Sequence, residues 1–247
     1  MSRILSWFSA GAASAVATKL LLSEAARPVE AVYCETGAEH PDNERFIADC
    51  ERWFGQPVIR IKSEKYSSTW DVWEKRRWLA GIEGALCTDE LKKQPRFAYQ
   101  RPTDAHVFGY TCDASDAARF ERFKANFPEL RSVRAPLIER GIDKAGCLGF
   151  LQSAGIALPV MYSLGFHNNN CIPCPKATSP DYWSAMRKHF PAEFERMAKL
   201  ARELDVRLTR IKDVRTFIDE IPADWPTTNP IAPACDFLCQ IAVEDAA

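Results

Sequence analysis

Two groups of residues in this chain have types and spacings suited to chemistry. The first is Cys171-Ile172-Pro173-Cys174. Two thiols two residues apart have the spacing of metal ligands, and the same spacing serves disulfide and persulfide relays. His167 and the run Asn168-Asn169-Asn170 precede the pair, and Cys87 stands 84 residues before Cys171, in Cys87-Thr88-Asp89-Glu90-Leu91-Lys92. Cys87, Cys171 and Cys174 are thus the candidate metal ligands, for zinc with His167 or another cysteine as the fourth, or for an iron–sulfur cluster with one open iron. Buried packing cysteines are the alternative.

The second group is Phe8-Ser9-Ala10-Gly11-Ala12-Ala13-Ser14. Small residues let a ligand approach the backbone, the N–H groups of a helix start point at an anion, and two hydroxyls donate to phosphate oxygens. Ser9, Ala10, Gly11, Ala12, Ala13 and Ser14 therefore form a candidate anion cradle. It is not a Walker loop, because no Gly-Lys-Ser/Thr follows, and the three-glycine dinucleotide pattern is absent. A tight turn under a sheet is the alternative.

Something must hold these groups in place. Arg3 to Phe8 reads as a strand, residues 9–14 as a loop and Ala15 to Ser23 as a helix. Val29 to Tyr33 is a second strand, Asn43 to Phe54 a helix and Gln56 to Ile61 a third strand. His106 to Thr111 and Arg131 to Ala135 are further strands around a helix over Ser115 to Phe127. Strands alternating with helices predict parallel βαβ units. Beyond Pro136, Asp143 to Ala154 is helical, and Ser179-Pro180 starts a long helix with Trp183, Met186, Phe194 and Met197 on one apolar stripe, split by Pro191. Pro222 to Ala247 reads as an acidic, Pro-rich tail.

The chain has 247 residues, 47% hydrophobic and 26% charged, which excludes a disordered protein. With 32 Lys+Arg against 33 Asp+Glu, any nucleic-acid contact must come from a local patch. Residues 60–101 hold ten Lys/Arg against six Asp/Glu, which is either such a patch or a solvated face. Nine cysteines, an odd number, point to metal or sulfur chemistry in a reducing compartment. The apolar stretch Ile4 to Thr18 has features of a secretory signal, but Ser6, Ser9, Gly11 and Ser14 dilute it. A cytoplasmic protein without membrane spans is expected.

The strand followed by Ser9-x-Gly11-x-x-Ser14 resembles the pyrophosphate loop of the ATP pyrophosphatase superfamily. Tyr33-Cys34-Glu35-Thr36-Gly37, Cys87-Thr88-x-x-Leu91-Lys92 and Asn170-Cys171-x-x-Cys174 before Tyr182-Trp183 resemble its phosphoadenylylsulfate-reductase-like branch, in the same order, over Ile4 to Leu204. In character the chain is most similar to ATP pyrophosphatases of DNA phosphorothioation. The resemblance implies an α/β fold with a Rossmann-like parallel five-stranded sheet of the adenine nucleotide alpha hydrolase-like kind and a helical C-terminal extension. It implies a nucleotide-binding domain over residues 1–140, with 141–247 packed on it. ATP with Mg²⁺ is the implied ligand, held by residues 9–14 together with Glu35 and Thr36. Cys87, Lys92 and Arg96 are the implied catalytic residues, with Lys92 or Arg96 offsetting charge on the transferring phosphoryl group.

The implied reaction is adenylylation of a nucleic-acid oxygen, DNA being favoured, so that sulfur replaces it. The implied partners are the nucleic acid, a sulfur donor such as a cysteine desulfurase, and a second copy of the chain. A sulfonucleotide reductase, a tRNA thiolase and a zinc-stapled nucleic-acid-binding module are the rivals. The sequence departs from the family at Ala10 and Ala13, where relatives carry Gly or Cys and an Asp, and at Leu86, where iron–sulfur reductases carry a second Cys. Gly or Cys at position 10 is expected to raise activity. The tail lacks the reductase Glu-Cys-Gly-Leu-His-type string and offers Cys235 and Cys239 instead.

Overall fold

The structure, a computed structural model, describes residues 3–81, 84–130 and 132–234. Cys235 and Cys239 lie outside the described residues. Five strands form the central sheet: β1 (Ile4–Phe8), β2 (Val29–Cys34), β3 (Ile59–Ile61), β4 (Ala105–Phe108) and β5 (Val133–Arg134). Their order is β3-β2-β1-β4-β5, and every pair is parallel. This is the expected α/β fold with its five-stranded parallel sheet. In such an order the chain leaves β1 toward one side and returns to β4 on the other, so a crevice opens at the carboxyl ends of β1 and β4.

The central strand is apolar on both faces, as a covered parallel sheet requires. Ile4 and Phe8 pack with α1 (Ala12–Glu24), and Ser6 bonds Thr18 of that helix at 2.8 Å. On the opposite face Leu5 and Trp7 pack with Val32 against Tyr99 and Phe108. Trp7 Nε1–H also donates to His106 Nδ1 at 3.1 Å, joining β1 to β4 through their side chains.

Two large cores share the chain. One joins β1, α1, α2 (Asn43–Phe54) and the helix over Lys144–Ser153. The other joins α3 (Thr69–Arg76) and Leu79, Ala85, Cys87 and Leu91 to α4 (Pro180–His189) and α5 (Pro191–Glu203). The apolar stripe of α4 and α5 is buried here, and the helix is indeed divided at Pro191. Residues 86–99 are helical throughout, with five residues, Asp89–Lys93, wound as a π-helix. Among the described residues no helix is long and apolar enough to cross a membrane.

Candidate functional site

The loop after β1 is held by its own hydroxyls. Ser14 Oγ accepts from the Ser9 backbone N–H at 3.0 Å and from Ser9 Oγ at 3.1 Å, and donates to the Gly11 carbonyl at 2.9 Å. Ser14 is thereby buried and ties the loop, whereas Ser9 is exposed to the crevice. Ala10 has φ 55° and is fully buried, so the loop apex adopts the left-handed conformation that favours glycine. Ala10 and Ala12 turn their methyl groups inward; their contribution to ligand binding is confined to the backbone. Helix α1 begins at once, carries no acidic residue in its first turn, and so keeps the positive end of its dipole uncompensated.

Distant residues complete this loop. Tyr162 Oη accepts from the Ala12 N–H at 3.1 Å, and Asn169 Nδ2–H donates to the Ala10 carbonyl at 2.6 Å. Gly109, just past β4, lies so close that a Cβ there would meet Ser14 Cα at 2.6 Å. None of these three positions carries a motif signal, because each is defined by where the far chain passes.

The loop opens onto a cavity of about 700 Å³. Its walls include Ser9, Gly11, Ala13, Ser14, Thr36, Cys87, Lys92, Cys171 and Cys174, so residues of the loop after β1 and all three sequence-predicted cysteines line one cavity. Glu35 does not line it; its carboxylate lies 3.6 Å from Arg60 at the edge of the sheet. Arg96 lines only a smaller neighbouring pocket. Four cations, Lys92, Arg119, Lys144 and Lys176, line the large cavity against the carboxylates Asp116 and Asp181. The basic stretch in residues 60–101 supplies just one of these. Arg60, Lys65, Lys75, Arg76, Arg77 and Lys93 within it pair instead with carboxylates.

The Cys171-x-x-Cys174 segment is tied on two sides. Ile172 N–H donates to the Ala38 carbonyl at 2.7 Å, beside the loop after β2, and Cys174 N–H donates to Tyr182 Oη at 2.7 Å. Cys171 Sγ lies 2.9 Å from Thr36 Oγ1, which donates to Glu39 Oε1 at 2.5 Å. Thr36 thus bridges Cys171 and Glu39. Burial pushes Cys171 up to about 11, with Lys92 working to lower it. Cys87 is raised above the usual thiol value by burial. Burial acts to lower Lys92, yet its ammonium is held above the ordinary value, with the Glu39 carboxylate among the groups that raise it.

These thiols do not fit a metal centre as they stand. Among the described residues no group of three or more His, Cys, Asp or Glu side chains is placed to hold a metal ion. His167, the expected fourth ligand, bonds the Asn229 carbonyl at 3.1 Å. Mg²⁺ fares similarly: Asp116 is engaged by Thr111 and Arg119, and Asp181 accepts from Trp225 Nε1 at 2.7 Å. A magnesium ion here would be held by the nucleotide's own phosphates, since position 13 offers a methyl group.

Cys34 packs against the Leu5, Trp7 and Val32 core at the end of β2. It lines the smaller pocket, and its thiol faces the Lys92 carbonyl at 3.9 Å. Cys50 and Cys147 are packing residues, buried in the sheet core.

The order of the strands places the loop after β1 and the cavity at the crossover of the parallel sheet. The fold is Rossmann-like. No protein-family model matches the sequence, and no curated protein does. Among solved structures it is similar to phosphoadenylyl-sulfate (PAPS) reductase from Candida auris in a phosphate complex, with a TM-score of 0.48 and 15% identity over 68% of this chain and 80% of that one. The functional reading therefore rests on the site itself.

Proposed function

We propose that this chain is an ATP-dependent sulfur-insertion enzyme that adenylylates an oxygen of a nucleic acid, DNA before RNA, and releases pyrophosphate. One observation carries the reading: a helix N-terminus open to anions and the thiols Cys87, Cys171 and Cys174 line the same cationic cavity. The acceptor oxygen attacks the α-phosphorus, and its new bond forms as the bond to the bridging oxygen of the β-phosphate breaks. Ser9 and the N–H groups at the start of α1 other than that of Ala12, which is donated to Tyr162, hold the departing pyrophosphate, and Lys92 offsets the charge that develops.

Sulfur then enters through Cys171. A donor persulfide, R–S–SH, exchanges with the Cys171 thiol to give R–SH and Cys171–S–SH. The terminal sulfur displaces AMP from the activated centre, leaving product joined to Cys171 through a disulfide. Cys174 attacks Cys171 Sγ, the thiolated product leaves, and an external dithiol reduces the resulting Cys171–Cys174 disulfide.

The test is pyrophosphate release from ATP in the presence of a DNA oligonucleotide, followed by mass analysis of the oligonucleotide after supply of a persulfide donor. Cys171→Ser is expected to keep pyrophosphate release and to lose sulfur incorporation. No pyrophosphate release with either DNA or RNA removes the proposal, and sulfite release from a sulfonucleotide replaces it with the reductase reading.

A further inference from the structure

After α5 the chain forms a two-stranded antiparallel ribbon, β6 (Thr209–Ile211) and β7 (Val214–Thr216), joined by Lys212 and Asp213, both with positive φ. Two such residues make the tight turn whose twist matches that of the strands. Side chains alternate across a strand. Thr209, fully buried, and Ile211, packed on the second core, therefore share one face, and Arg210 stands on the other. Arg215 is the direct cross-strand partner of Arg210, and both are exposed.

Like charges directly opposite one another destabilise a ribbon. The carboxylates near this pair in sequence are engaged elsewhere, Asp205 with Arg207, and Asp219 and Glu220 with Arg202. Arg215 Nη1 donates to the Arg207 carbonyl at 3.3 Å, which steadies the guanidinium without neutralising it. Lys212 adds an exposed cation at the tip. Among the described residues no carboxylate forms an ion pair with Arg210, Lys212 or Arg215, so the opposed charges are left for something outside the chain to offset.

The ribbon also adjoins the large cavity. The Thr178 carbonyl accepts from Thr209 Oγ1 at 2.9 Å and from the Arg210 N–H at 3.3 Å. Lys176, Ala177 and Ser179, on either side of Thr178, line the cavity, and Lys176 is exposed there. Strand β6 is thus stitched to the cavity's rim next to a cation of its wall.

We infer that this ribbon is a docking surface for the phosphate backbone of the nucleic-acid acceptor, and that it leads the strand to the cavity by way of Lys176. A guanidinium takes phosphate oxygens in bidentate fashion, and a phosphodiester between Arg210 and Arg215 offsets both at once. Two-stranded ribbons serve elsewhere as nucleic-acid-binding elements. Contacts to phosphate position a strand without reading its sequence, so the ribbon sets where the acceptor lies and leaves choice of sequence to other residues. The inference rests on the nucleic-acid reading of the cavity and adds the surface along which that acceptor arrives.

The experiment irradiates the full-length protein with a short single-stranded DNA carrying 5-bromouracil, maps the crosslinks by peptide mass spectrometry, and follows binding by fluorescence anisotropy across a salt series. Crosslinks to peptides from residues 204–218 are expected. Arg210→Thr with Arg215→Thr is expected to weaken strand binding about tenfold and to reduce the slope of log affinity against log salt by roughly one to two, whereas Arg210→Lys with Arg215→Lys keeps the slope. Because the opposed charges disfavour the ribbon, the Thr variant should show a urea midpoint no lower than that of the unmodified protein. Crosslinks confined to other peptides overturn the inference whether or not the variants fold, and so does an unchanged salt slope in a folded Thr variant. Tighter binding of polyglutamate than of the strand also overturns it, by assigning the surface to an acidic protein. Strand binding that ignores the ribbon removes this inference and leaves the nucleic-acid reading; no binding of DNA or RNA by the unmodified protein removes both.

Discussion

Ala10 shows how closely opposed terms set the chemistry of a loop. A left-handed alanine costs about 1–2 kcal/mol relative to glycine. Against that, its fully buried methyl contributes roughly 0.8 kcal/mol and spares about 0.5–1 kcal/mol of chain entropy. Ala10→Gly is therefore expected to change stability by less than about 1 kcal/mol, while Ala10→Val, β-branched in the same backbone, should cost more than about 2 kcal/mol. Urea denaturation of the two variants checks this, and equal losses would contradict the positive φ. Cys171 allows a second test. With the thiol pushed up to about 11, thiolate becomes abundant only as pH rises, so alkylation by iodoacetamide should be slow at pH 7 and quicken about tenfold per unit toward pH 10. Peptide mass spectrometry reads the rate at Cys171 directly. The residues of the site were partly legible in sequence: Ser9, Ser14, Cys87, Lys92, Cys171 and Cys174 stood in motifs and do line the cavity. Asn169, Tyr162 and Gly109 did not, because their roles come from long-range contact and no local pattern encodes it.

Among the elements, β1 and β4 are coupled by the buried Trp7 to His106 bond. Burial depresses His106 from 6.5 to about 4, with Arg96 acting in the same direction. The neutral ring is thus favoured in the folded protein, its contribution is fully present above pH 6.5, and it is lost as pH falls toward 4. The loss over that window is on the order of 3 kcal/mol. Urea denaturation at pH 7 and pH 5 should show a decline in the native protein, and a smaller one in His106→Gln, whose amide oxygen can still accept from Trp7. An equal decline in both would assign the pH effect elsewhere. Helix α2 was readable to the residue because its apolar positions recur at helical spacing, and the split at Pro191 follows from a missing N–H. Residues 86–99 were not readable, since a π-helical turn shifts the buried face midway and erases the period.

At the scale of the molecule, the charge that matters is local. A chain with a formal net charge of -1 still presents four cations to one cavity. Binding of a DNA strand should therefore weaken steeply with salt. Lys176, exposed on the cavity wall, is expected to contribute one phosphate contact, so Lys176→Ala should lower affinity for all strands alike and reduce the slope of log affinity against log salt by about one. An unchanged slope would place Lys176 outside the contact. Sequence counting pointed to residues 60–101 for this role, but Asp71, Asp89 and Glu90 of that stretch, with Glu44 and Glu203 from outside it, pair with most of its cations.

The loop after β1 is among the first parts of the chain to be synthesised, yet its Ala12 N–H waits for Tyr162, 150 residues later, and its Ala10 carbonyl for Asn169, 159 residues later. A growing chain can pair β1 with β2 long before either partner exists. The anion cradle is consequently one of the last features to mature, and a ribosome-bound fragment ending before position 162 would hold a sheet without a finished nucleotide loop. Chemistry at this loop therefore waits on synthesis past Asn169, however early β1 itself is made.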